Sequence, residues 1–312
     1  MIEVQGLTKH YGPTRSLQDV TFSVAEGEVL GFLGPNGAGK STTMKILVGL
    51  ARATSGTARI GGFDVQTENS RMRSILGYLP ESAPLYGDMT VDGFLRFMAG
   101  LRGLGHRDAK REAERTTAAV NLQKERTRLL RNLSKGTRQR AAIAQALLGD
   151  PKVLILDEPT VGLDPAQIND VRELIRGMRG RRTVILSTHI LSEVELTCSR
   201  VAIINAGRVI ASGTRDELIG AQSTSLFVAV RGEGAKLSAA VAEVLGVTVE
   251  VKPQDGLVTA RVRPCPSEAD RARLARALVA ADLSLVELRA EHASLEDVFL
   301  SAIGNRREDT AA

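Results

Sequence analysis

An apolar strand that runs straight into a glycine-rich loop and then a helix constrains this chain more than any other feature. Val29-Leu30-Gly31-Phe32-Leu33 reads as a buried strand, and Gly34-Pro35-Asn36-Gly37-Ala38-Gly39-Lys40-Ser41 follows it in the pattern G-x-x-x-x-G-K-[ST]. Glycines let successive backbone N–H groups curl around phosphate oxygens, with a helix N-terminus behind them. In that pattern Lys40 reaches the β- and γ-phosphates, the Ser41 hydroxyl ligates Mg²⁺, and Thr42 is the next candidate contact. A chance glycine-rich turn does not also supply the strand before it and the helix after it.

The rest of the chain predicts what surrounds this loop. Its 312 residues suggest about two domains at roughly 150 residues each. The longest stretch without Asp, Glu, Lys or Arg, Leu218–Val230, is only 13 residues long. A membrane-spanning helix needs about 18 or more apolar residues, so none is expected. Met1-Ile2-Glu3-Val4 starts as a strand and not as a secretory signal, which places the expected location in the cytoplasm. Cys198 and Cys265 lie far apart with no metal-site spacing, so neither a disulfide framework nor a zinc site is expected.

Short apolar strands alternate with helical stretches at Val153–Leu156, Ile168–Gly177, Thr183–Ser187 and Ile190–Leu196. That order predicts an α/β fold with a mainly parallel sheet and an antiparallel β edge. Between its halves, Pro84–Asp150 reads as a helical insertion with 13 basic and 7 acidic residues, the main seat of the net charge of +5. A basic patch attracts nucleic acid or an anionic membrane surface. Few aromatics accompany the charge, so a membrane-side role is favoured over nucleic acid. After a polar break at Gly220–Ser225, the order β-α-β-β-α-β-α predicts a small α+β, ferredoxin-like domain over 221–304. Val247, Val249 and Val251 read as one strand there, Asp255-Gly256 as a turn, and 305–312 as a polar tail.

Leu154-Ile155-Leu156-Asp157-Glu158 ends a wholly apolar strand in two carboxylates. Asp157 suits Mg²⁺ coordination and Glu158 suits polarising an attacking water. His189 follows the apolar strand Thr183–Ser187, and ligands of parallel sheets bind at the strands' carboxyl ends. It could contact the γ-phosphate, hold the attacking water, or serve as a structural histidine.

Together these motifs resemble the ATP-binding cassette (ABC) ATPases, the nucleotide-binding subunits of ABC transporters, over about residues 2–220. Leu133-Ser134-Lys135-Gly136-Thr137-Arg138-Gln139-Arg140 is similar to the ABC signature, Gly162-Leu163-Asp164-Pro165 to the D-loop, and His189 to the switch histidine. The resemblance makes Tyr11 the aromatic that stacks on adenine, and Ser134 and Gly136 contacts to a partner subunit's γ-phosphate. Lys135 replaces the usual Gly and either adds a cation there or faces solvent. Glu81 stands where many members carry a Gln, to meet Mg²⁺ or a water or to play no part in catalysis. These departures, with Ser294–Phe299 near the C-terminus, resemble the exporter branch that includes drug, copper-processing and gliding-motility ATPases.

The family resemblance implies ATP hydrolysis with Mg²⁺, in an ATP-sandwich dimer with a second copy or a paralogous ATPase. It further implies integral membrane permease subunits docked on the helical insertion, where Tyr78, Tyr86, Phe94 and Phe97 cluster either as the insertion's own core or as a groove for such a partner, and a peripheral place on the inner face of the cell membrane. The other readings are a soluble ABC ATPase of repair or translation, and an importer ATPase. Repair types separate the two nucleotide motifs by hundreds of residues, whereas Lys40 and Asp157 are 117 apart, and translation types carry two cassettes. Importer types often carry a β-barrel domain, and this C-terminal part reads as α+β.

Overall fold

A computed structural model describes residues 1–220, 225–254, 256–291 and 294–304. The chain divides into two compact units, Met1–Arg215 and Asp216–Ala312. Most of the polar break, Asp255 of the expected turn and the 305–312 tail lie outside the described residues.

The first unit is built on a six-stranded sheet in the order Arg208–Gly213, Arg200–Asn205, Val29–Leu33, Thr183–Thr188, Val153–Asp157, Leu76–Leu79. All neighbours are parallel except the first pair, which is an antiparallel hairpin. Val29–Leu33, Val153–Asp157 and Thr183–Thr188 are buried at every position. Strands covered on both faces need continuous apolar runs, which is why these lack polar alternation. Each fully buried Val, Leu or Ile contributes about 1.5–3 kcal/mol. A second sheet, ordered Thr14–Val24, Ile2–Tyr11, Ser55–Ile60, Phe63–Asp64, is antiparallel throughout.

The helical insertion consists mainly of Val91–Leu101, His106–Ala119 and Lys135–Ala146. Thr90 caps the first, its hydroxyl accepting from the Gly93 N–H at 3.1 Å. Phe94 is fully buried with Leu95 and Ala99 and so belongs to the core, whereas Tyr86 and Phe97 remain exposed and meet edge to face. Of the four clustered aromatics, Phe94 is therefore unavailable to a docking partner.

An ion pair ties the second insertion helix to the end of the third. Glu112 takes both Nε and Nη2 of Arg115 (2.9 and 2.6 Å) and accepts from the Gly149 N–H at 2.7 Å, while Arg115 donates to the Leu147 carbonyl at 2.7 Å. The Arg115 hydrogen bonds lead the effects that hold the Glu112 carboxyl below its usual pKa. A carboxylate with a lowered folded pKa stabilises above its unfolded pKa and loses that contribution as pH falls through the folded value. Glu112→Ala is expected to cost about 0.5–1.5 kcal/mol at neutral pH, because it removes the hydrogen bonds of the half-buried Arg115 and of the Gly149 N–H. The difference from wild type should shrink below the ordinary glutamate pKa of about 4.3, as read by urea melts at pH 7 and pH 3.5.

The second unit carries an antiparallel sheet in the order Val251–Gln254, Leu257–Val262, Ser225–Arg231, Ser284–Glu291. With helices Gly234–Leu245 and Glu268–Ala280 between the strands, this is the ferredoxin-like arrangement. Ser267 caps the second helix, accepting from the Asp270 N–H at 3.2 Å. The first edge strand is shorter than the valine alternation predicts. Gly246, at φ 69°, ends the preceding helix, and Val247 and Val249 pack on the core as connecting chain before the ladder starts at Val251.

Candidate functional site

The phosphate loop lies between the end of the central strand and helix Lys40–Leu47. Gly39 takes φ 106°, and a Cβ there would come within 2.6 Å of Leu17. Only glycine fits both demands. The Gly34 N–H donates to the Thr188 carbonyl at 3.3 Å, which ties the loop to the neighbouring strand end. Lys40 is buried, and its Nζ donates to the Gly34 and Pro35 carbonyls at 2.8 and 3.2 Å. The Ala38 carbonyl accepts from the Gly207 N–H at 2.9 Å.

Adjacent parallel strands bring the two acids beside this loop. Asp157 ends its strand buried, and its Oδ1 has no hydrogen-bond partner. Burial raises its pKa; the nearby Ser187 and Ser41 hydroxyls pull the other way, and Glu158 and Glu81 add to the rise. Glu158 takes the left-handed region at φ 50°, which costs a non-glycine residue on the order of 1–3 kcal/mol. Its N–H donates to the Ser187 carbonyl at 2.9 Å. That turn aims the side chain at the loop: Oε1 lies 3.3 Å from Lys40 Nζ and Oε2 lies 2.9 Å from His189 Nδ1.

A cleft of ≈ 450 Å³ gathers Asn36, Gly37, Gly39, Lys40, Ser41, Thr42, Glu81, Glu158 and His189. Two residues that the sequence reading missed complete its lining, Ser16 and Val161. The Ser16 hydroxyl bonds that of Thr42 at 2.9 Å, and Val161 stays 42% exposed beside Glu158. Neither sits in a motif, and only the folded hairpin and turn bring them in.

Tyr11, Ser134, Lys135, Gly136 and Asp164 do not line this cleft. Tyr11 is exposed, with Lys9 Nζ 4.7 Å from its ring centre. Ser134 caps the third insertion helix, accepting from the Thr137 N–H at 3.2 Å. Asp164 caps helix Pro165–Arg176 through the Gln167 N–H at 2.9 Å. The two caps adjoin. A Cβ on Gly162 would strike Lys135 Nζ, and one on Gly136 would strike the Gln167 side chain, 2.3 Å away. Lys135 thus rests on its own chain's Gly162 turn.

Comparison with known proteins places this arrangement. The family described as ABC transporter matches residues 17–161. The daunorubicin/doxorubicin resistance ATP-binding protein DrrA of Streptomyces peucetius is 34% identical over 99% of this chain and 94% of its own. The chain belongs to the ABC transporter ATP-binding family. It therefore has the α/β architecture of an ABC ATP-binding cassette that its motifs predict. The probable multidrug ABC transporter ATP-binding protein YbhF of Escherichia coli is 39% identical over 70% of this chain. The cassette spans only 38% of that relative's length. The solved structure of cbiO1 from Clostridium perfringens, part of the ABC transporter complex cbiONQ, is 28% identical. It superposes with a TM-score of 0.64 over 70% of this chain and 90% of that one.

Proposed function

We propose that this cassette powers export by separate membrane-spanning subunits, hydrolysing ATP at sites shared between two copies of the chain. The arrangement of Glu158 carries this reading. Its carboxylate is buried between the lysine of the glycine-rich loop and a half-exposed imidazole. A water placed there would give its proton to Glu158 as its oxygen bonds to the γ-phosphorus and the bond to the β-phosphate oxygen of the leaving ADP breaks, with His189 holding the carboxylate and the γ-phosphate in line. Lys40 would exchange its carbonyl partners for the β- and γ-phosphate oxygens.

The buried, unpartnered Asp157 oxygen beside the Ser41 hydroxyl fits a hard cation that takes its remaining ligands from phosphate and water. Bound there, Mg²⁺ would neutralise phosphate charge. Among the described residues no cluster of three or more His, Cys, Asp or Glu could hold a metal by itself. Glu81 faces the same cleft and is the third candidate for this shell.

Ser134 is exposed and does not line its own chain's cleft, which supports its use on a second copy; Gly136 is buried beneath Gln167 and would have to be uncovered to serve there. A symmetric pair would place each signature helix N-terminus over the other chain's phosphates.

The relatives' names, multidrug transport and daunorubicin resistance, support the exporter direction. No helix among the described residues is long and apolar enough to cross a membrane. A groove of ≈ 870 Å³ carries Leu50 and Leu101, 63% and 66% exposed, with Tyr78 and Pro84. Such a patch suits a helix of a permease subunit, which would hold the cassette at the inner membrane face.

The shared site is tested by mixing Asn36→Cys chains with Ser134→Cys chains and oxidising them with and without ATP and Mg²⁺. A two-chain disulfide product is expected in nucleotide alone. The native cysteines, Cys198 and Cys265, are each only partly buried, so both are replaced by Ser in the two chains. Failure to cross-link in every nucleotide state contradicts the reading.

A further inference from the structure

We infer that Glu193 is a positioning residue for hydrolysis, a buried brace that fixes the Glu158 turn against the His189 turn. This rests on the proposed roles of Glu158 and His189.

Glu193 lies in helix Leu191–Thr197 and is 1% exposed. It is an acid within a helical stretch, yet its side chain is enclosed by the protein. Its Oε1 accepts from the Thr160 hydroxyl and its Oε2 from the Thr188 hydroxyl at 2.7 Å. Both threonines are buried. Burying a carboxylate is unfavourable unless its oxygens are hydrogen-bonded, and an apolar side chain would fill the space without that cost.

What the carboxylate joins gives the reason. Thr160 lies two residues after Glu158, and Thr188 immediately precedes His189. One side chain thus spans the two turns whose tips meet at the 2.9 Å His189–Glu158 contact. The Thr188 hydroxyl accepts from the Ile190 N–H at 3.0 Å, fixing the turn beyond His189. The Thr188 carbonyl holds the start of the phosphate loop through Gly34. Glu158 keeps its left-handed backbone only while its surroundings determine it, and the brace is part of those surroundings.

The test measures turnover, affinity for a fluorescent ATP analogue and melting temperature in the full chain. Glu193→Ala is expected to lower kcat on the order of 10²-fold, the loss a misplaced catalytic group causes. Nucleotide affinity should move less than about three-fold, because the groups lost act in the transition state. Glu193→Gln should fall between, since its amide can take only one hydroxyl proton. Adding Thr188→Val to Glu193→Ala should cost little more, as expected of one coupled unit.

A merely structural Glu193 would give a lowered melting temperature and weakened nucleotide binding in step with turnover, and that result overturns the inference. So does Glu193→Ala turning over like wild type while Glu158→Gln is inactive. An active Glu158→Gln removes the reading beneath, and this inference with it. Should Glu193→Ala not fold, Thr160→Val and Thr188→Val decide. Each should lose about ten-fold in kcat at unchanged affinity, and wild-type turnover in both overturns the brace.

Discussion

Glu158→Gln is expected to hydrolyse ATP about 10²–10⁴-fold more slowly than wild type, the contribution of a general base, while binding ATP normally. The amide is nearly the same size and still offers an oxygen to Lys40 or an N–H to His189, so the turn should persist. What it cannot do is accept a proton from the attacking water. Lys40, the loop amides and the Ser41 hydroxyl lie on other elements and would hold the triphosphate unchanged. Loss of the Glu158 charge also removes a buried anion 3.3 Å from Lys40, which favours a lysine turned to phosphate. Single-turnover hydrolysis and equilibrium binding of the same preparation separate the two effects.

Ser134→Arg should be as damaging by a different route. Ser134 lies outside its own chain's cleft, so ATP binding by an isolated copy should be unaffected. The substitution removes a helix cap, at about 0.5–2 kcal/mol, which a folded cassette tolerates. Its larger effect falls on the second copy, where a long side chain would occupy the place of the γ-phosphate. Turnover should fall at least about 10²-fold, as when a transition-state donor is lost, with nucleotide affinity of the monomer retained. A loss of affinity in the monomer would instead place Ser134 in its own chain's site.

How much of this was legible in the sequence depends on where each residue's partners lie. Lys40, Asp157, Glu158 and His189 could be grouped beforehand because each lies at or beyond the carboxyl end of a largely apolar strand, and parallel strands present those ends to one crevice. The glycine loop was legible for the same local reason. Glu193 was not. Its partners lie apart, Thr160 in the turn after Glu158 and Thr188 at the end of strand Thr183–Thr188, and nothing in Leu191–Thr197 distinguishes an inward acid from a solvated one. The left-handed turn at Glu158 was equally hidden, since glycine usually marks such a turn. Ser16 and Val161 enter the cleft only through the folding of chain far from the motifs.

In the second unit, the order of elements predicted the ferredoxin-like sheet, because helix and strand periods alternate cleanly there. The alternation of Val247, Val249 and Val251 misled only in length. Apolar residues every second position satisfy a packed connecting segment as well as a ladder, and the left-handed Gly246 decides between them. Phe94 and Phe97 share a helical face in spacing. The first is enclosed by the insertion's core and the second is left to solvent, a difference set by helices from elsewhere in the chain.

Sedimentation velocity of Glu158→Gln in saturating ATP and Mg²⁺, beside the Glu158→Gln/Ser134→Arg double variant, tests the shared site most directly. The first should sediment as a stable two-chain species that reverts to single chains when nucleotide is removed, and the second should remain single chains with ATP bound. A Glu158→Gln chain that binds ATP and stays single, or a double variant that still pairs, would contradict ATP held between the Lys40 loop of one copy and the Ser134 helix of another.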